Sequence, residues 1–432
     1  MKKTHHILIG SLGDDIHSVG QSLLTIALQE SGFFVNNIGI GNTIEHFFNA
    51  APRFDAILIS CINGHVDLFL EDFAYKYSQF QLANTAKKVW YLGGNLSINK
   101  HDDDVIRKYL QMGFDFVATK PISWQAVVKQ LRRDFSNKGI NKRPMSATLL
   151  DSPPELTGLE QVTDEPMSDR EFSSLRKEVL HSWPTGAAVL TTDIKRNHND
   201  KSKNLPALIW KQQQNRTSPL KQPRTGVAHV EDEIKILKFL EEHGLDVASI
   251  QLDAASRKNM YKKAQEGVLR TEKGKQSFLN GYPVPIHGVP GIEKILHSIH
   301  SPFQIRAGSP DHRLIYEIGL AGGASSVEGG FICYLFPYDK MTSPITNLGY
   351  WKYIDKLAAS YHQQYGIIIN REYFGPLTTS LIEPTIPICI NIVQTILSAK
   401  AGVKSICVSL AEQGNRSQDI AAIQVLYKTT QF

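Results

Sequence analysis

The sequence predicts an α/β protein in two parts, a flavodoxin-like doubly wound parallel sheet followed by a (β/α) TIM-type barrel that looks incomplete. Three observations carry this expectation. Residues 5–137 alternate five short apolar runs with five helix-period segments, the pattern of a parallel sheet buried on both faces. The alternation lapses between 138 and 167 and resumes near Arg224. The resumed part offers seven candidate strands, whereas a closed barrel of this type uses eight and roughly 250 residues.

In the first part the candidate strands are His6–Leu12, Phe33–Ile40, Asp55–Ile62, Val89–Gly94 and Phe114–Lys120. Helical periodicity falls on Gln21–Glu30, Ile44–Ala50, Leu68–Tyr77, Val105–Met112 and Trp124–Phe135. A domain of residues 1–137 follows, and sheets of this kind bind ligands beyond the carboxyl ends of their strands. Residues 138–167 are rich in Pro, Ser, Thr and charge without a sustained period, as expected of a linker. The second domain, 168–432, opens with a helical segment at Asp169–Trp183 and a polar run, Lys195–Asn204, expected to be a surface excursion. Its candidate strands are Thr225–Val230, Val247–Asp253, Tyr282–His287, Phe303–Gly308, Gly330–Leu335, Gly366–Phe374 and Ser405–Glu412, separated by helical stretches such as Glu231–Gly244 and Gln394–Gly402. A seven-stranded barrel leaves the edges of its first and last strands unpaired, and such edges invite another chain.

Composition narrows the function. Lys and Arg total 47 against 42 Asp and Glu, a net charge of +5 without a concentrated basic stripe, so nucleic acid is not the expected partner. Four cysteines without a CxxC pair indicate neither a disulfide framework nor a zinc cluster, and fit a reducing cytoplasm. The N-terminal apolar run is too short for a signal peptide, and nothing approaches the roughly 18 apolar residues of a membrane span. A soluble, cytoplasmic protein with no membrane partner is expected.

Two constellations carry chemistry. Directly after the first strand stands Asp15-x-His17-x-x-Gly20. A His on such a loop can present one ring nitrogen to a metal while an Asp two positions earlier holds the other, and a glycine lets a bulky ligand approach the backbone. With Ser60-Cys61-Ile62 at the end of the third strand and Gly93-Gly94 after the fourth, this spacing resembles cobalamin-binding domains in which the His replaces the cofactor's own base as lower ligand of cobalt. The resemblance implies His17 as the cobalt ligand and Asp15 as its orienting partner. It further implies Gly20, Ser60, Ile62, Gly93 and Gly94 around the displaced nucleotide tail. Where that family has Pro-Gly-Thr after the fifth strand, this chain reads Lys120-Pro121-Ile122.

The second constellation consists of Arg224, Arg257 and Arg306, two of them at or just past the carboxyl end of a candidate strand. Arginines offer bidentate forks to carboxylates, and three converging ones suit a small dicarboxylate. The stretches Trp183-Pro184-Thr185-Gly186, Glu328-Gly329-Gly330, Asn370-Arg371-Glu372 and Phe374-Gly375-Pro376-Leu377-Thr378 resemble the catalytic chain of glutamate mutase (methylaspartate mutase), and the first domain resembles that enzyme's cobalamin subunit. The resemblance implies an adenosylcobalamin-dependent radical isomerase that interconverts L-glutamate and 3-methylaspartate. The arginines would hold the carboxylates of an amino-acid dicarboxylate, Glu328 the ammonium and Tyr334 the substrate's placement, while Tyr338 would contact a carboxylate and Asn280 line the site. Departures are Ala307 where the family has His and Val327 where it has Asn. The family's catalytic chain also continues past the point matching Phe432 and carries there a Lys and a Glu for the cofactor's ribose. A second chain or a homo-oligomer that completes the barrel, a shortened relic, and a reduced closure all stay open. The alternative function is a non-catalytic cobalamin-binding protein or an inactive mutase fragment that needs a partner chain.

Overall fold

The computed structural model describes residues 3–13, 15, 17, 19–64, 66–97, 101–144, 162–215, 218–274, 277–334, 342–378 and 382–431. The chain divides into two units, 1–156 and 157–432. Among the described residues no helix is long and apolar enough to cross a membrane.

In the first unit the five apolar runs become β1 (His6–Ser11), β2 (Phe34–Asn37), β3 (Ala56–Ser60), β4 (Val89–Gly93) and β5 (Phe116–Ala118). They form one parallel sheet in the order β2-β1-β3-β4-β5, the flavodoxin-like order. Successive side chains point to opposite faces. Leu8, Ile57, Ile59, Trp90 and Leu92 therefore join one apolar layer with Phe47 and Phe73, while Ile7, Ile9, Leu58 and Tyr91 join the other with Leu28 and Leu131. The crossovers are α1 (Val19–Glu30), α2 (Ile44–Ala50), α3 (Phe73–Ala83), α4 (Asp102–Met112) and α5 (Trp124–Lys138). Three aspartates open α4, where the helix dipole favours negative charge, and Gly113 ends it in the left-handed conformation. Helix α3 starts later than the expected Leu68, because Val66–Leu68 forms a separate 3-10 turn. Past α5, Arg143–Pro144 pairs antiparallel with Lys3–Thr4. The middle of the expected linker, 145–161, lies outside the described residues.

The second unit begins with α6 (Asp169–His181), α7 (Pro184–Ala187), α8 (Thr191–Asn197) and α9 (Leu205–Asn215). Its strands are β6 (Arg224–Thr225), β7 (Ala248–Gln251), β8 (Phe303–Arg306), β9 (Ser326–Glu328), β10 (Asn370–Tyr373) and β11 (Ser405–Val408). All are parallel and lie side by side in chain order, with β6 and β11 at the edges. Between them run α10 (Val230–Glu242), α11 (Ala254–Arg257), α12 (Tyr261–Lys273), α13 (Val284–Ser298), α14 (Arg313–Ala321), α15 (Phe331–Tyr334), α16 (Pro344–Tyr365) and α17 (Thr385–Lys400), and α18 (Arg416–Thr429) follows β11.

Among the described residues this sheet has six strands, not the expected seven. The candidate strand Tyr282–His287 makes one isolated bridge, Leu252 to Tyr282, and then enters α13. Pro283 and Pro285 lack the N–H that a central strand donates, whereas the first turn of a helix tolerates that loss. The candidate strand Gly330–Leu335 is displaced upstream to β9. Gly329, at φ +105°, ends β9, and the chain turns into α15. The polar run 195–204 lies largely at the surface, as expected, but three of its side chains reach inward. Asn197 Nδ2 donates to Ala321 O at 3.0 Å, Lys203 Nζ to Leu296 O at 2.6 Å and Asn204 Nδ2 to Ile368 O at 3.0 Å. These polar groups satisfy carbonyls at the ends of α14 and α13 and before β10, which would otherwise lack partners.

The two faces of the six-stranded sheet differ in kind. Ala248, Ile250, Phe303, Ile305 and Val327 point into the apolar core shared with the helices. The alternate positions are polar, and two rows cross the strands in register. The first row is Arg224, Ser249, Gln304, Ser326, Asn370 and Ser405. The second, two residues further along each strand, runs from Gln251 through Arg306, Glu328 and Glu372 to Cys407.

Candidate functional site

In the first unit the order of the sheet reverses at β1, and a cavity of about 650 Å³ lies at the carboxyl ends of the strands. Gly20, Ser60, Ile62, Gly93 and Gly94 all line it, with Leu23, Tyr91, Ala118 and Trp124 among their apolar neighbours. Leu23, Ile122 and Trp124 are exposed around it, so apolar surface here stays in contact with water. A Cβ on Gly20 would meet nothing within 4 Å, which leaves room beside the start of α1. Gly94 has another reason to be glycine. Its φ is +130°, and a Cβ there would fall 2.1 Å from Cys61 O, so the backbone crossing requires it. Lys120, which also lines the cavity, pairs with Asp102 at 3.1 Å.

Asp15 is buried at 1% exposure and uses both carboxylate oxygens. Oδ1 accepts from the backbone N–H of His17 at 3.1 Å and lies 2.6 Å from His17 Nδ1, while Oδ2 accepts from the N–H of Ile62 at 2.6 Å. The His17 ring thus has Nδ1 fixed and Nε2 as the nitrogen left for a ligand, and its side chain is 56% exposed. These features fit cobalamin: an apolar cavity for a tail, a small residue at the rim and an imidazole with a fixed tautomer.

In the second unit the carboxyl-end row holds two of the expected substrate residues, Arg306 and Glu328. Arg306 ends β8 and pairs with Glu328 at the end of β9. The other Glu328 oxygen accepts from Tyr334 Oη at 2.6 Å. The backbone beneath Glu328 is held from behind. Tyr316 donates to Glu328 O, and the buried Arg371 donates to Gly329 O at 3.0 Å and Val327 O at 3.4 Å while pairing with Asp355 at 2.8 Å. Arg224 and Arg306 both lie over the Phe374 ring, 5.2 and 5.6 Å from its centroid, so one aromatic ring attracts two guanidiniums. Arg257 is buried on α11, where Asp253 caps the helix and Asn280 Oδ1 accepts from Ala254 N at 2.9 Å. Asn280 therefore acts first on the seat of Arg257. Arg306 lies at the end of the third strand of the sheet, not the fourth. Tyr338 lies outside the described residues.

Sequence reasoning missed Gln304, Phe374 and Glu372 as parts of this face. Gln304 Oε1 accepts from Gln222 Nε2 at 2.9 Å and Ser249 Oγ at 3.3 Å, while its Nε2 donates to Ser326 Oγ at 2.9 Å and Glu372 Oε2 at 2.5 Å. The signal was present in Asn370-Arg371-Glu372-Tyr373-Phe374, whose alternation puts Asn370, Glu372 and Phe374 on one face.

The fold and its two sites define a two-unit parallel α/β protein with an imidazole-flanked apolar cavity in one unit and an arginine–carboxylate face in the other. Residues 200–432, more than half of the chain, match the family described as methylaspartate mutase E chain (MutE), and the chain belongs to that family. It is similar to the glutamate mutase epsilon subunit of Halobacterium salinarum, 35% identical over 268 residues, covering 61% of this chain and 55% of the relative. The epsilon subunits of Desulfitobacterium hafniense (37% over 268 residues, 61% and 55%) and Escherichia coli O157:H7 (37% over 270 residues, 62% and 55%) are similar to the same extent. The chain spans about half the length of these curated relatives.

Proposed function

We propose that this chain is an isomerase, a cobalamin-dependent carbon-skeleton mutase that interconverts L-glutamate and 3-methylaspartate, with both modules in one polypeptide. The observation that carries the reading is the Arg306–Glu328–Tyr334 cluster on the polar face, with Arg224 set beside Arg306 over Phe374. Adenosylcobalamin, when bound, supplies a carbon-centred radical for hydrogen abstraction. His17 would hold its cobalt, oriented by Asp15, and the nucleotide tail would enter the cavity lined by Gly20, Ser60 and Gly93. Arg224, Arg257 and Arg306 would hold the two substrate carboxylates in bidentate pairs. Glu328 would face the ammonium, and Tyr334 would keep the Glu328 carboxylate in place. The six sequential parallel strands support the reading of this unit as an arc of a (β/α) barrel.

The test is formation of 3-methylaspartate from L-glutamate by the full chain with adenosylcobalamin, with Arg306→Lys as the control. Product that forms and falls at least about a hundredfold in the control supports the mutase, since a Lys cannot reproduce a bidentate fork. Tight cobalamin binding without product favours the second reading, a cobalamin-binding chain that needs a partner. One observation favours that reading: β11 is half-buried along its length, and α17 and α18 expose Ile386, Val393, Ile396, Ile420 and Ile423 beside it.

A further inference from the structure

We propose that Glu372 is a second carboxylate of the amino-acid site and shares the substrate's ammonium with Glu328, an inference that rests on the polar face being that site. The register sets Glu372 of β10 directly beside Glu328 of β9, so both side chains leave the same face in the row that begins with Gln251 and Arg306. Two carboxylates side by side on neighbouring strands repel unless cations answer them. Glu328 has its cation in Arg306 and a further donor in Tyr334. Glu372 has a neutral partner, Gln304 Nε2 at 2.5 Å, and among the described residues no Lys or Arg pairs with it.

Gln304 does not supply the missing charge. Its Oε1 is occupied by Gln222 and Ser249, so Nε2 is the end that faces Glu372. The Glu372 carboxylate is thereby aimed by a fixed neutral donor while its charge is left for something else to balance. An amino-acid dicarboxylate brings two carboxylates and one ammonium. The arginines answer the carboxylates, and Glu328, which shares Arg306 with them, is left with part of its charge for the ammonium. Glu372 is the place on this face where positive charge is lacking, and it selects a substrate with an amino group over the same dicarboxylate without one.

The experiment is isothermal titration of the full chain with L-glutamate and with glutarate, which lacks the amino group. Wild type is expected to prefer L-glutamate. Glu372→Gln, which can still accept from Gln304 through its amide oxygen, should weaken L-glutamate by about tenfold or more and leave glutarate unchanged or tighter. Glu372→Asp, which keeps the charge, should retain part of the preference. An unaltered glutamate-to-glutarate ratio in Glu372→Gln, with Arg306→Lys weakening both ligands, overturns the role of Glu372 while the amino-acid site stands. If Glu372→Gln loses both ligands, Glu372→Asp decides: a retained preference supports the proposal, and an equal loss of both overturns it. Binding of neither ligand to wild type overturns the site and the proposal together.

Discussion

Asp15 shows how much one buried carboxylate organises. It holds the His17 backbone, the His17 ring and the Ile62 N–H at once, so the loop after β1 is tied to the loop after β3. Partners of this kind typically contribute 10- to 100-fold to affinity for the ligated group. Asp15→Asn is therefore expected to weaken hydroxocobalamin binding by about 10- to 100-fold, read from an absorbance titration, with the far-ultraviolet circular dichroism kept. Equal affinity in the variant would remove the orienting role. In the second unit Asp355 is the carboxylate for Arg371, a guanidinium that is 1% exposed. Asp355→Ala leaves that charge buried without its counter-ion and should lower the unfolding free energy by about 3–5 kcal/mol in a urea titration. A loss below about 1 kcal/mol would show that the backbone carbonyls alone satisfy Arg371.

At the scale of elements, α10 is joined to β6 by one carboxylate. Glu233, fully buried, accepts from Thr225 Oγ1 and, at 2.9 Å, from Val227 N. Burial pushes its pKa from 4.5 up to about 7, outweighing both hydrogen bonds. Above pH 4.5 the folded state holds this proton more tightly than the unfolded chain, so this contribution to stability is full below 4.5 and declines as pH rises to about 7. Glu233→Gln removes the titration. Between pH 5 and 7 the variant should gain on wild type by up to about 3 kcal/mol, measured by denaturant unfolding at each pH. A gap that stays constant with pH would contradict the shifted group. The same scale explains where strand prediction failed: Tyr282–His287 is apolar enough for a strand, but its two prolines cannot feed a ladder.

On the scale of the whole molecule, each unit has its own apolar layers, and the chain divides near residue 156. A chain of residues 1–144 is accordingly expected to fold alone and bind hydroxocobalamin within about threefold of the full chain, because the cavity and Asp15 lie within that unit. A loss of binding beyond tenfold would mean that the second unit supplies part of the site. The exposed apolar residues of α17 and α18, next to the half-buried edge β11, predict self-association of the full chain, checked by sedimentation at increasing concentration. A monomer at all concentrations would show that this edge is protected in solution.

The sequence by itself determined the alternation of short apolar runs and helical periods in the first unit, and with it all five strands and the parallel class of the sheet. Loop spacing also drew attention to Asp15 and His17, and the family resemblance it carries implied Gly20, Ser60, Ile62, Gly93 and Gly94, which line the cavity. These features are local: burial on both faces demands unbroken apolar runs, and a functional loop at a strand end keeps its residues within a few positions. Tertiary structure decided what depends on register. Only strand pairing sets Arg306, Glu328 and Glu372 in one row, and only packing brings Arg224 and Arg306 over Phe374. Residues up to about 150 positions apart in sequence meet on that face because parallel strands are joined by long crossovers, so chain spacing carries no record of which side chains become neighbours.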